Sequence, residues 1–158
     1  MILVVVGMSP IPFDRLIVEM DRIAGQLKEE VLIQTGPSEC NPTNARSRRF
    51  LEMSEIEEAM KASAVVVSHA GMGTVLDARR LRKPIVILPR RRDFREALDN
   101  HQTSTADSLR GENGIFVADS EHELSTLIER ARQCTIERID DSGKTQLISF
   151  LRQLVNHD

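Results

Sequence analysis

Ser68-His69-Ala70-Gly71-Met72-Gly73-Thr74 joins a run of β-branched residues to a helical pattern, and about thirty residues later stands Asp99-Asn100-His101-Gln102. Strand, glycine turn and helix N-terminus form a phosphate-binding arrangement: glycines let the backbone approach, and unpaired amides meet the anion. Gly71 and Gly73 would aim amides at a diphosphate, with Thr74 adding a hydroxyl. Asp77 lies one turn into the helix, where a carboxylate can accept from both hydroxyls of a ribose; the plainer reading is a solvent-facing or helix-terminal charge. His101 and Gln102 open a helix from a loop, where imidazole and amide can reach sugar hydroxyls or simply cap the helix. His69 stands at a strand end, its ring directed to a phosphate or to a neighbouring loop.

The elements that must position these groups alternate along the chain. Ile2 to Val6 reads as a first strand, and Phe13 to Lys28 as a helix with Leu16, Ile17, Met20, Ile23, Ala24 and Leu27 on one face. Glu30 to Gln34 is a second strand. Gly36 to Arg49 is polar and turn-rich, a long loop, and a short strand is expected near Arg49 to Leu51. A helix capped by Ser54 follows, with Glu57 completing a capping box. Then come a strand at Ala64 to Ser68, a helix from Gly73 to Arg82, a strand at Pro84 to Leu88 and a helix from Asn100 to Leu109. A strand at Gly114 to Val117 and two helices end the chain. This alternation argues for an α/β fold, an open, doubly wound parallel sheet of Rossmann-like type covered on both faces. In such sheets ligands lie outside the carboxyl ends of the strands. There fall Gly7-Met8-Ser9, Thr35-Gly36, His69 to Thr74, Pro89 to Arg92 and Asn100 to Gln102.

Composition narrows the partners. The chain has 158 residues, 41% of them hydrophobic, which suits one globular domain. Aromatic content is 3%, with neither Trp nor Tyr, which argues against stacking platforms for single-stranded nucleic acid. No apolar stretch is long enough to span a membrane, and Met1 to Val6 lacks the basic start of a signal peptide. Cys40 and Cys134 are far apart without metal-ligand spacing, so free thiols and no metal are expected. The net charge of −3 is unevenly distributed: eight basic residues fall between Asp77 and Arg95 against two aspartates. They form a solvated face, or they attract a pyrophosphate, an anionic membrane or an acidic partner. Ser142-Gly143-Lys144-Thr145 imitates the end of a P-loop, but Arg138 stands where its first glycine belongs and no strand precedes it.

These residues carry a resemblance. Ser68-His69-Ala70-Gly71-x-Gly73-Thr74, Lys83-Pro84, Pro89-Arg90-Arg91 and Asp99-Asn100-His101-Gln102 resemble the C-terminal half of glycosyltransferase family 28. The likeness is strongest to the small donor-binding subunits of two-component transferases, such as the eukaryotic N-glycan GlcNAc-transferase subunit and bacterial exopolysaccharide counterparts. Val5-Val6-Gly7, Pro12 to Leu16 and Gln34-Thr35-Gly36 extend it over roughly residues 1 to 120. Two positions depart from the family pattern. Asp77 stands where Glu is usual, and Gly7-Met8-Ser9 replaces Gly-Thr-Thr.

The resemblance implies the donor half of a GT-B glycosyltransferase, a single nucleotide-sugar-binding domain over residues 1–158. It would take a hexose-type sugar (GlcNAc, glucuronate, glucose or galactose) from a UDP-sugar to a lipid-linked or polysaccharide acceptor with inversion. No cofactor and no metal are expected, because helix dipole and amides stand in for a cation. His69, Gly71, Gly73, Thr74, Asp77, Asn100, His101, Gln102, Gly7 and Arg91 are the expected substrate-binding residues. A membrane-anchored partner would hold the acceptor and supply the general base. The chain itself would be cytoplasmic, held at the inner face of a membrane through that partner, with homo-oligomers possible and no nucleic acid bound. Residues 140–158 hold a helix with Leu147, Ile148, Leu151, Leu154 and Val155 on one stripe, packed on its own sheet or docked on the partner. Arg90 to Arg92 would face an anionic membrane or a lipid-diphosphate acceptor. A non-catalytic UDP-sugar-binding or enhancer module is the alternative, favoured by the missing threonine after Gly7. An NAD enzyme lacks its G-x-G-x-x-G after the first strand.

Overall fold

All but one of the strands are short runs of mainly β-branched and aliphatic residues that have apolar neighbours on both sides, as a parallel sheet between two helical layers requires. In the computed structural model, which describes residues 1–136, six strands form one sheet. They are β1 (Ile2–Val5), β2 (Val31–Gln34), β3 (Arg46–Arg48), β4 (Val65–Ser68), β5 (Ile85–Ile87) and β6 (Ile115–Val117), in the order β3-β2-β1-β4-β5-β6. Every pairing is parallel. The order reverses between β1 and β4, so the crevice expected of such a sheet opens at their carboxyl ends.

Strand alternation divides the core in two. Ile2, Val4, Ile33, Val65, Val67 and Val86 pack against α1 (Asp14–Ala24) and α5 (Leu124–Arg132). Leu3, Val5, Leu32, Val66, Ile85 and Ile87 face the other layer, made by α2 (Met53–Ala62), α3 (Met72–Arg80) and α4 (His101–Ser108). At the end of β4 the Ser68 hydroxyl donates to the carbonyl of Val5 at 2.9 Å, tying β4 to β1 where their loops part.

Three features differ from the sequence reading, the first being that α1 ends at Ala24 rather than Lys28. The short strand is Arg46–Arg48 rather than 49–51, inside the stretch read as a loop. It is an edge strand with polar side chains, so it carries no apolar signature. Its approach is anchored by Asp21, whose carboxylate accepts from the amides of Thr43, Asn44 and Ala45 at 3.1, 2.8 and 2.8 Å. The capping box of α2 is Glu52 with Glu55, not Ser54 with Glu57. The same spacing occurs two residues earlier, and a carboxylate there accepts helix amides as a hydroxyl would. The P-loop-like segment and the terminal helix stripe lie outside the described residues.

Candidate functional site

A cavity of about 430 Å³ opens at the carboxyl edge of the sheet, on the side of α2 and α3. Six of the residues singled out by sequence line it: Gly7, His69, Gly71, Gly73, Thr74 and Asp77. The remaining wall is mostly apolar and comes from Val5, Leu51, Met53, Ile56 and Met60. Sequence reasoning missed this wall, because Phe50 to Met60 reads only as the ordinary start and inner face of a helix.

The polar end is built on α3. Gly71 is its N-cap, and the first intrahelical bond runs from the Val75 amide to the Gly71 carbonyl at 3.2 Å. The amides of Met72, Gly73 and Thr74 therefore precede the helical ladder, at the positive end of its dipole. Asp77, half-buried, accepts from Arg80 at 3.2 Å, and Arg80 also reaches Glu57 at 3.3 Å. These contacts hold the carboxylate on the cavity wall while leaving part of it open.

His69 turns towards the neighbouring loop. Its ring lies between Gly7 and Gly71: a Cβ on the first would fall 2.0 Å from Nε2, and one on the second 1.8 Å from Cε1. Gly7 also has φ +79°, a conformation that side chains disfavour. Both glycines are thus needed for the ring to fit. Burial, and then the nearby charge of Arg90, push the imidazole down to about 4, so it is neutral at physiological pH. Its Nδ1 has no hydrogen-bond partner among the described residues.

Arg90 is the clearest correction to the sequence reading. It is fully buried, not turned to a membrane. Its guanidinium donates to the carbonyls of Val6 (2.9 Å), Ile11 (2.8 Å), Pro12 (3.1 Å) and Glu96 (3.0 Å), and stacks 4.6 Å above the ring of Phe13. Burial pushes it down to about 10, which leaves it charged at neutral pH. Glu96, also buried, takes a bidentate pair from Arg15 at 2.8 and 2.8 Å and the amide of Arg91 at 3.0 Å. Arg90 and Glu96 therefore fix the loops after β1 and β5. Other members of the basic stretch are likewise tied into the fold: Arg79 pairs with Glu112 at 3.1 Å, and Lys83 donates to the Ser63 carbonyl at 2.9 Å.

Asn100, His101 and Gln102 stand apart from the cavity wall, against the loop after β5. The Gln102 amide oxygen accepts from the Arg90 amide and the Asn100 oxygen from the Arg92 amide, both at 3.2 Å. Asp99 accepts from the His101 amide, the first of α4, at 3.0 Å, and the His101 side chain is exposed. Arg91 donates to the Asp119 carbonyl at 2.7 Å. Among the described residues no three His, Cys, Asp or Glu side chains come together to hold a metal, and no helix is long and apolar enough to cross a membrane.

Residues 1–147 match the family model described as the glycosyltransferase family 28 C-terminal domain. No curated protein sequence matches the chain. Among solved structures it is similar to the glycotransferase of kitacinnamycin (17% identity, TM-score 0.64), covering 99% of this chain and 39% of that one. It is similar to CalG4, the calicheamicin glycosyltransferase, at 15% identity and TM-score 0.60, covering 98% of this chain and 38% of that one. It is also similar to MurG of Acinetobacter baumannii at 19% identity and TM-score 0.58, covering 84% and 41%. The chain thus spans about two-fifths of the length of each of these structures.

Proposed function

This chain belongs to the glycosyltransferase family 28 C-terminal domain family, and from that premise we propose that it is the donor-binding subunit of a two-component inverting glycosyltransferase. It takes a UDP-sugar of hexose type as donor. The acceptor is lipid-linked or a polysaccharide, held by a membrane-anchored partner that keeps this cytoplasmic chain at the inner face of the membrane. The observation that carries the reading is one cavity shared by the N-terminus of α3, the Asp77 carboxylate and the His69 ring seated between Gly7 and Gly71.

In this mechanism the amides of Gly73 and Thr74 and the Thr74 hydroxyl hold the diphosphate, and Asp77 accepts from the ribose hydroxyls. The acceptor hydroxyl attacks the anomeric carbon, its proton passes to a base on the partner, and UDP departs. Negative charge grows on the diphosphate as that bond breaks. Amides at a helix N-terminus stabilise it without a metal, since they are already oriented before charge develops. A neutral His69 can donate one hydrogen bond to the same anion. Asn100, His101 and Gln102, at the start of α4 against the loop that Arg90 anchors, serve the sugar, with Arg91 on that same loop.

The need for a partner is supported by the rim of the cavity. Met8 is 78% exposed, Met53 73% and Phe50 49%, and all three line the cavity. Exposed apolar side chains grouped at a cavity mouth suit a surface that another protein closes over. The deciding experiment is calorimetric titration with UDP, a set of UDP-sugars and NAD, in EDTA. Binding of UDP with preference for one UDP-sugar supports the reading and identifies the sugar. No binding alone or with the acceptor subunit, or a preference for NAD, overturns it.

A further inference from the structure

The floor of the cavity holds a group that the donor reading has not used. β2 runs through three apolar residues and ends on Gln34, which is fully buried. The parallel register sets Gln34 beside Val5, so its side chain leaves the sheet on the same face, towards α2 and into the cavity. Neither Nε2 nor Oε1 has a hydrogen-bond partner among the described residues. The apolar part of the cavity lining, Val5, Leu51, Ile56 and Met60, includes its strand neighbour Val5 and offers no polar side-chain group.

A buried amide left unpaired destabilises a fold, so a ligand that satisfies it gains binding energy. The carboxamide presents one donor beside one acceptor in a plane. Its complement is a flat edge with a carbonyl beside an N–H. Apolar walls with a single planar polar pair suit a heterocycle, whereas ribose and diphosphate are matched by Asp77 and the start of α3. We infer that the Gln34 carboxamide reads the base of the donor nucleotide, pairing with the imide edge of uracil. This rests on the donor reading above. Gln34 is then a specificity-determining residue, and β2 contributes to the site through its last side chain.

The test is titration of the wild-type chain and of Gln34→Leu and Gln34→Met with UDP and with N3-methyl-UDP, which lacks the imide N–H. Melting temperatures are measured alongside. For the wild type, N3-methylation is expected to weaken binding roughly tenfold or more. Both variants are expected to lose UDP affinity by a similar factor and to show almost no further loss on N3-methylation. Their melting temperatures are expected to equal or exceed the wild-type value, because an unpaired buried amide has gone. Unchanged UDP affinity in the variants, or an N3-methyl penalty that persists in them, overturns the inference alone. A fall in melting temperature in both variants does the same, since it makes Gln34 a structural residue. A wild-type chain that binds no UDP, either alone or with the acceptor subunit, overturns the donor reading and this inference together.

Discussion

The ring of His69 fills the volume that a side chain on Gly7 would need, with 2.0 Å between its Nε2 and the place of a Cβ. Gly71 closes on the opposite side at 1.8 Å from Cε1. The imidazole is therefore clamped by two loops that both reach the cavity. Gly71→Ala, whose backbone is extended and otherwise tolerant, must push the ring out of place. It is expected to cost about 1–3 kcal/mol of stability, the range for overpacking, and to weaken UDP binding. His69→Ala opens the space, so in that background the Gly71→Ala cost should largely vanish. Urea unfolding of the four proteins in this cycle measures the coupling; simple additivity would show that the ring and the glycine do not interfere.

The same burial gives a pH dependence. The native His69 pKa is about 4, below the ordinary value of 6.5. Between these values the unfolded chain binds a proton that the native chain does not, so stability falls as pH drops from 6.5 towards 4 and is unaffected by this group above 6.5. The full effect is on the order of 3 kcal/mol. Unfolding free energies of the wild type and His69→Asn, compared near about pH 7 and about pH 4.5, isolate it. The difference between the two proteins should shrink or reverse at the lower pH; a constant difference would mean that the native ring titrates normally.

These two residues also mark the limit of what the sequence discloses. β1 and β4 are legible because a parallel strand is one short apolar run, and the glycine turn after β4 is legible because few residues tolerate it. That Gly7 and Gly71 share a neighbour is not legible, since the loops meet only once β1 pairs with β4. Arg90 shows the same limit from the other side. In sequence it is one of three consecutive arginines and reads as surface charge, while in the fold four carbonyls from three segments converge on it. Gln34 was visible as a polar end to an apolar strand, but its environment depends on α2, which is distant in sequence.

Arg90 should be intolerant of even conservative change. Removing the guanidinium leaves the carbonyls of Val6, Ile11, Pro12 and Glu96 without their donor. Arg90→Ala is expected to cost about 3–5 kcal/mol, the range for breaking a buried charged network. Lysine offers a point charge rather than a planar fork, so Arg90→Lys should recover little of that loss. Thermal unfolding of both variants decides it: melting temperatures near wild type would place Arg90 outside the framework of the site.

Asp77 and Gln102 should separate nucleotide from sugar. Asp77 is on the cavity wall and its Arg80 contact is an exposed pair, worth little to the fold. Asp77→Ala should therefore leave stability nearly unchanged and weaken UDP by about 1.5–3 kcal/mol, the range for a charge-assisted hydrogen bond. Gln102 lies off that wall, with its oxygen on the Arg90 amide and its NH2 group directed elsewhere. Gln102→Ala should spare UDP and weaken the UDP-sugar, since the proposed mechanism gives its NH2 group to the sugar. Calorimetry of each variant with UDP and with the preferred UDP-sugar gives two ratios. Equal losses for both ligands in Gln102→Ala would move that residue from the sugar to the loop framework, and an unchanged UDP affinity in Asp77→Ala would remove the carboxylate from the ribose.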